Sequence, residues 1–395
     1  MLPIDNPFRP APGSEPPALV GRDEESGAAQ YSMRMTATGA PAQPIVFTGL
    51  RGMGKTALLR HCIAEADENA IVIHGEGSAD EPLHITLQRG LAAAQAQNAS
   101  LPTRLKHGFD KILEALPRAS YDLPNDLGSV SLARGAQATS TSLTATLDEV
   151  NTMAHKHGRF LVFALDEIQD APVEGLRDLV RFVHASAGTT SPAFLLAAGL
   201  PSSREHLHVV RTYTERWRYF RLELLTPQET QAAIAIPAES RRVTIESDAL
   251  SLLVSESAGY PFFVQEFASA AWLAHAGSRI TLDDVQRSIP GVRRILDDTF
   301  YDARFSRLTP REIAYVLALA DLGPGQHSSG EIANTFGQKS PNLASIRNQL
   351  IKKDVIYSPI SGMAEFRIPL TDRYVRGRRE EFERRASGSS IQRES

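Results

Sequence analysis

The feature that most constrains this chain is a glycine-rich octapeptide set between a short apolar run and an amphipathic stretch. Its residues are Gly49, Leu50, Arg51, Gly52, Met53, Gly54, Lys55 and Thr56. The apolar run, 45–48, predicts a short buried strand. The stretch 55–67 predicts a helix whose inward face carries Leu58 and Cys62. A strand, a glycine turn and a helix in this order predict a phosphate-binding loop on an α/β scaffold.

The octapeptide has the spacing GxxxxGK[ST], in which each residue type has a chemical task. The glycines let backbone N–H groups turn inward around phosphate oxygens, and the positive end of the following helix adds to the attraction. Lys55 is expected to reach the β- and γ-phosphates, and the Thr56 hydroxyl to coordinate Mg²⁺. The predicted ligand is therefore a nucleoside triphosphate with Mg²⁺. The residues predicted to bind it here are Gly49, Arg51, Gly52, Met53, Gly54, Lys55, Thr56 and Ala57.

A second acidic element follows the unbroken apolar run 160–165, which is typical of a central parallel strand. Asp166 ends this strand and is expected to hold Mg²⁺ together with Thr56. Glu167 is expected to activate the attacking water by accepting its proton. The structural alternative is that the two acids cap a helix. The loop upstream favours the catalytic interpretation, in which Lys55 and Glu167 act together.

The rest of the first half alternates strands with helices, which predicts a parallel sheet covered on both faces. Further strands are expected at 70–74, 193–198 and 219–224, and helices at 82–118, 143–157 and 176–186. The segment 120–142 is rich in Ser, Gly, Ala and Thr and has no period, so a mobile loop is expected there.

Bulk composition limits the class of protein. At 395 residues, two or three domains are expected. A single cysteine excludes an internal disulfide framework, and no apolar run reaches the roughly 18 residues of a membrane helix. The first 17 residues are rich in proline and do not have the pattern of a signal peptide. A cytoplasmic protein with no membrane partner is predicted.

The second half of the chain is predicted to hold a small helical lid and a further unit. From 226 to 290 the pattern is helical. The later unit has three short helices, at 310–322, 329–336 and 342–353, and then two strands around 360–362. The predicted organisation is an extended arm at 1–18, an ATPase core at 19–225, a lid at 226–304, a C-terminal domain at 305–377 and a disordered tail at 378–395.

Four segments in fixed order resemble the AAA+-like and STAND ATPases, over about residues 8–377. They are 20–24 (Val-Gly-Arg-Asp-Glu), the phosphate-binding loop, 165–167 (Leu-Asp-Glu) and 259–261 (Gly-Tyr-Pro). The resemblance implies that Val20, Gly21 and Arg22 lie near the adenine, and that Pro261 lies beside the nucleotide. The choice of ATP over GTP rests on this resemblance alone, since no residue pattern in the chain reads the base. The fold it implies is an α/β P-loop NTPase with a parallel sheet, a helical lid and a C-terminal winged helix.

The chain departs from this resemblance at two positions. A polar sensor residue is expected near the end of the strand 193–198, but the run 197–200 has none, and Ser202 and Ser203 are the nearest candidates. Phe262 stands where AAA+ lids often carry an arginine. Both departures favour a slow, switch-like ATPase.

Arg216 lies just before the strand 219–224, where relatives place a finger arginine that stabilises transition-state charge on a neighbouring subunit's nucleotide. Arg218 is the alternate for this role. A surface salt bridge is the competing interpretation of Arg216. The finger role would require self-association of the protein.

The C-terminal domain leaves two partners open. From Arg293 onward there are 17 basic and 13 acidic residues, an excess of about +4 in a chain whose net charge is −4. A winged helix places its third helix in the DNA major groove, so duplex DNA is one partner. The residues expected to face it are Lys339, Ser340, Asn342, Ser345, Arg347, Asn348, Lys352, Lys353, Arg367, Arg373, Arg376, Arg378 and Arg379. Winged helices in STAND proteins contact protein instead, which is the alternative.

Overall fold

The computed structural model describes residues 6–11, 13–97, 143–358, 360–368 and 370–388. By their packing these residues form two compact units. One comprises 22–49 and 55–222, and the other comprises the N-terminal residues to Gly21, Leu50–Gly54 and the chain from Glu223 onward. The predicted mobile loop, 120–142, lies outside the described residues.

The first unit is built on a five-stranded parallel sheet, as predicted. Its strands are β1 (Ile45–Thr48), β2 (Ala70–Glu76), β3 (Phe160–Asp166), β4 (Phe194–Gly199) and β5 (Arg218–Arg221). Their order is β2-β3-β4-β1-β5, and every neighbouring pair is parallel. All residues of β3 and β4 are buried, which explains their continuous apolar sequence.

The helices of this unit are α1 (Asp23–Ala37), α2 (Lys55–Ala64), α3 (Leu83–Gln97), α4 (Leu143–Lys156), α5 (Val173–Ser186) and α6 (Ser203–Val210). They supply the apolar layer around the sheet. For example, Phe182 of α5 packs edge-on against Phe163 of β3, with ring centroids 5.7 Å apart. Cys62 of α2 is fully buried, and burial raises the pKa of its thiol to about 12. The predicted core role of Cys62 is confirmed.

The second unit begins with the lid. Its helices are α7 (Pro227–Ser240), α8 (Ser247–Ser257), α9 (Pro261–Ala274) and α10 (Leu282–Leu296). Thr226 and Thr281 start α7 and α10 with capping boxes, in which each threonine hydroxyl accepts the N–H of an acidic residue three positions later. The predicted helices are present, together with a short parallel pair, β6 (Thr244–Ile245) and β7 (Arg279–Ile280).

The proline-rich arm has no helix among its described residues, as predicted, but it is anchored to the lid. Phe8 is buried and packs edge-on against Trp272 of α9, with 6.2 Å between ring centroids. The Asn6 side-chain amide donates to the Ser269 hydroxyl at 2.9 Å. The arm is extended because its prolines forbid a helix, and it is held by these side chains.

The C-terminal domain contains the three predicted helices, α11 (Pro310–Asp321), α12 (Ser329–Phe336) and α13 (Ala344–Lys352). The predicted strands are β9 (Ile356–Tyr357) and β10 (Met363–Phe366), which pair antiparallel. A further strand, β8 (His327–Ser328), pairs with the other edge of β10. A π-helical turn, Asp297–Asp302, joins the lid to this domain.

The prediction of a disordered tail is wrong for the residues that the structure describes there. The chain continues as α14 (Thr371–Gly377) and α15 (Arg379–Ala386). Phe382 of α15 is fully buried and packs edge-on against Phe305 at 5.4 Å. The prediction from charged composition overlooked this one apolar residue. Phe382 anchors α15 because it enters an aromatic cluster formed by other elements.

Among the described residues, no helix is both long and apolar enough to cross a membrane.

Candidate nucleotide site

The phosphate-binding loop follows β1 at the carboxyl edge of the sheet. β1 and β3 both lie beside β4 and run parallel to it, so the loop and Asp166 leave the sheet at the same edge. The Gly49 N–H donates to the carbonyl of Gly199, at the end of β4, at 3.2 Å. Gly52 and Gly54 have φ of +75° and +84°, a region that suits glycine.

Two predicted ligands of Mg²⁺ are placed by α2 and β3. Thr56 lies in the first turn of α2, directly after Lys55, which is 5% exposed. Asp166 ends β3 and is 7% exposed, and its Oδ1 accepts the Glu167 N–H at 2.9 Å. A hydroxyl and a carboxylate are hard oxygen donors of the kind that Mg²⁺ prefers. The residues present therefore fit this ion.

Glu167 has a left-handed backbone, with φ 43° and ψ 45°. It occupies the cap position of a 3₁₀ turn, Ile168–Asp170, but its side chain caps nothing there. Its Oε2 instead accepts a hydrogen bond from the Gln169 side-chain amide at 2.8 Å. A non-glycine residue in this conformation is uncommon and is often found at functional sites. The capping interpretation of Glu167 is therefore wrong for this 3₁₀ turn, and its catalytic role stays a prediction.

Tyr260 contacts the loop segment of its own unit, a role that the sequence did not reveal. Its hydroxyl donates to the carbonyl of Arg51. A Cβ added at Gly52 would lie 2.2 Å from the same hydroxyl, so only glycine allows this approach. Tyr260 is fully buried, and this burial raises the pKa of its hydroxyl. The motif 259–261 had pointed only to Pro261, which is the first residue of α9.

Replacing Tyr260 with phenylalanine is expected to lower the free energy of unfolding by about 1 kcal/mol, because it removes this hydrogen bond and keeps the ring. Urea unfolding measures the change. Tyr315 of α11 is a matched control, since its buried hydroxyl has no hydrogen-bond partner among the described residues. Tyr315→Phe should therefore leave stability unchanged or raise it. Equal losses in the two variants would contradict the role of the Tyr260 hydroxyl.

The residues predicted to lie near the adenine flank the start of α1. Gly21 has φ +68°, and a Cβ there would lie 2.6 Å from the Glu229 carboxyl carbon in the same unit. Arg22 is 7% exposed and immediately precedes α1, and Val20 is half-buried. A role for these three residues in nucleotide binding stays a prediction.

The two serines expected to substitute for a sensor residue lie at the start of α6. Ser203 is fully buried and bonded to Gln169, whereas the Ser202 side chain makes no capping bond to α6. Phe262 packs against Phe300 with ring centroids 4.8 Å apart.

Arg216, the predicted finger arginine, is exposed and forms no ion pair within the described part of the chain. The guanidinium of Arg218, the alternate, lies over the Phe220 ring. The finger role of Arg216 stays a prediction.

Comparisons with known proteins agree with the fold of a P-loop ATPase. Residues 18–210 match the family model of the AAA ATPase domain, and residues 298–375 match a domain of unknown function, DUF8462. A search of curated proteins found no match. Among solved structures, a Walker-type ATPase of Pyrococcus abyssi aligns at 16% identity over 93% of this chain and 98% of its own, with a TM-score of 0.57. The Aeropyrum pernix ORC2 protein aligns at 15% identity over 95% and 97%, with a TM-score of 0.46.

The likeness to the Pyrococcus abyssi structure confirms the α/β P-loop NTPase fold. The family match covers β1, the phosphate-binding loop, Asp166 and Glu167. Residues 18–210 are therefore similar to an AAA ATPase domain, and the fold around them is that of a P-loop ATPase.

Proposed function

We propose that the protein is a slow ATP-dependent switch in which the C-terminal domain, a winged helix, contacts protein and not DNA. The observation that carries this proposal is the pairing of the arginines and lysines that had been expected to meet DNA. Of the nine basic residues in that set, six form ion pairs within their own unit. These are Lys353 with Glu312, Arg367 with Asp354, Arg373 with Glu256, Arg376 with Asp372, Arg378 with Asp297 and Arg379 with Asp321.

One of these pairs joins the C-terminal domain to the lid. Glu256, near the end of α8, has a side chain only 8% exposed. It accepts hydrogen bonds from Arg373 of α14 at 3.0 Å and from Arg293 of α10 at 2.7 Å. Losing both partners would leave this carboxylate buried and unpaired, which would strongly destabilise the folded protein. Glu256 thus favours keeping the lid and the C-terminal domain together as one body.

A continuous set of aromatic rings supports coupling between the phosphate-binding loop and the C-terminal helices. Tyr260, bonded to the loop at Arg51, packs edge-on against Phe263 at 4.6 Å, and Phe263 packs against Phe300 at 6.2 Å. The next residue, Tyr301, stacks on Tyr374 of α14 at 4.2 Å. Close-packed rings transmit a displacement because they cannot be compressed. A displacement of the loop at Arg51 would therefore shift α14.

The proposed chemistry is hydrolysis of the terminal phosphate of ATP. Backbone N–H groups at Gly52 and Gly54 would hold the phosphates, and the Lys55 ammonium would balance their charge. Bound Mg²⁺, held through Thr56 and Asp166, would neutralise further charge on the phosphate oxygens. The Glu167 carboxylate would take the proton of the attacking water.

Duplex DNA remains a second candidate because one face of α13 and the segment 339–342 before it are open. Asn342, Ser345 and Asn348 are exposed there, and so are Lys339 and Lys352, which form no ion pair among the described residues. Two phosphate contacts would give weak binding, with log K falling against log salt at a slope of about −1.8.

We expect duplex DNA to leave the steady-state rate of ATP hydrolysis unchanged at low salt, because most of the expected phosphate-binding cations are already paired. The rate is measured with and without DNA at several salt concentrations. A several-fold stimulation that declines as salt rises, and that disappears in Lys339→Ala with Lys352→Ala, would establish the DNA function instead. Lys156→Ala, at an exposed lysine of α4, is the control for nonspecific charge effects.

A further inference from the structure

We propose that Gln169 is a positioning residue of the hydrolytic site. Its side-chain amide holds the Glu167 carboxylate in place by linking it through hydrogen bonds to the end of β4. This inference rests on the proposed role of Glu167 as the base. Gln169 lies in the 3₁₀ turn Ile168–Asp170, three residues beyond Asp166, and is half-buried.

All hydrogen-bonding positions of the Gln169 amide are occupied. Its Nε2 donates to Glu167 Oε2 at 2.8 Å and to Asp170 Oδ2 at 3.0 Å. Its Oε1 accepts the Leu200 N–H at 2.8 Å and the Ser203 hydroxyl at 3.1 Å. An amide has two N–H donors and two acceptor lone pairs, so this set is complete.

The orientation of the amide is fixed by its partners. A backbone N–H can only donate, so the Gln169 atom facing Leu200 must be the oxygen. The nitrogen must then face the Glu167 carboxylate, which can only accept when ionised. Gln169 therefore presents a donor to Glu167 with no competing arrangement.

The space for this amide exists because residue 199 is glycine. A Cβ added at Gly199 would lie 2.2 Å from the Ser203 hydroxyl and 2.5 Å from Gln169 Oε1. Ser203 is fully buried, so its hydroxyl is held beside the amide. The end of β4 has no polar side chain of its own at 197–200, and Gln169 places its amide oxygen against that strand end.

The bond matters because a free glutamate samples several rotamers, only some of which would reach the attacking water. Ordering a Glu side chain costs conformational entropy. Gln169 supplies this ordering before the substrate arrives, and a misplacement of about 1 Å at a reacting group can lower the rate about 100-fold. Among the described residues, the four hydrogen bonds of the Gln169 amide all go to residues outside the phosphate-binding loop, so nucleotide affinity should not depend on it.

The test is the substitution Gln169→Glu, which keeps the shape and an oxygen for the Leu200 N–H but replaces the donor that faces Glu167. We expect kcat for ATP hydrolysis to fall about 10- to 100-fold. The Kd of a fluorescent ATP analogue should change less than about twofold, because the substitution leaves the residues of the phosphate-binding loop unchanged. Asp170→Asn is the matched control, since it retains an oxygen acceptor for Gln169 and should leave kcat unchanged.

A double-mutant cycle separates positioning from general damage to the fold. In a Glu167→Gln background, adding Gln169→Glu should change the rate less than about twofold, because the carboxylate that it positions is already gone. The same fold-loss in both backgrounds, or a normal kcat in Gln169→Glu alone, would overturn the positioning role. An unchanged rate in Glu167→Gln alone would overturn the base role of Glu167 itself, and the two failures are thereby distinguished.

Discussion

Substituting glutamine for Glu167 is expected to lower the steady-state rate of ATP hydrolysis by about 10²- to 10⁴-fold, the usual contribution of a positioned general base. Glutamine keeps the size of the side chain and can still accept a hydrogen bond from Gln169, but it cannot take a proton from water. The affinity for ATP should be retained, because Glu167 lies beyond the end of β3 and outside the phosphate-binding loop. The measurement is steady-state phosphate release, together with binding of a fluorescent ATP analogue.

Lys55→Ala supplies the contrasting control for this experiment. It should abolish nucleotide binding as well as hydrolysis, because it removes the cation expected at the β- and γ-phosphates. The base role of Glu167 is contradicted if Glu167→Gln hydrolyses ATP at the normal rate while Lys55→Ala fails to bind nucleotide. A rate lowered only in proportion to weaker binding would likewise show that Glu167 acts on affinity and not on chemistry.

The parts of this site that the sequence predicts well are those specified by neighbouring residues. The strand β1, the glycine turn and the start of α2 are contiguous, so their pattern states the local structure directly. The position of Asp166 at the end of β3 is predicted in the same way, because a buried apolar strand leads into it. The helices α11, α12 and α13 are predicted because each has its own apolar period. In the structure, Thr309 and Ser328 cap the first two, whereas α13 has no side-chain cap.

The parts that the sequence did not predict depend on partners that are distant along the chain. Gln169 acquires its role only when the end of β4, 31 residues later, supplies the Leu200 N–H. Arg373 pairs with Glu256 across 117 residues. The sequence does not distinguish a basic side chain that will contact a phosphate from one that will pair with an internal carboxylate. The basic excess of the C-terminal domain therefore predicted DNA contact, whereas the fold uses most of that charge within itself.

The tail illustrates the same limit with a single apolar residue. In 378–388, charged residues surround Phe382, and composition alone predicts disorder. The prediction failed because the receiving cluster, which includes Phe305 and Tyr374, lies on other elements. One aromatic side chain can anchor a two-turn helix when its cavity is already formed by the rest of the fold.

Phe382→Ala is accordingly expected to lower the free energy of unfolding by about 3–5 kcal/mol, since it empties a fully buried aromatic position. The Phe382 ring packs against Phe305 at 5.4 Å and Tyr374 at 6.0 Å, and the Arg385 guanidinium lies over it at 5.6 Å. Urea unfolding followed by circular dichroism measures the loss. Arg384→Ala, at an exposed position of the same helix, should change stability by no more than about 0.5 kcal/mol. Equal small effects in both variants would show that α15 does not contribute to the core, and that the aromatic set linking Tyr260 to the C-terminal helices ends at Tyr374.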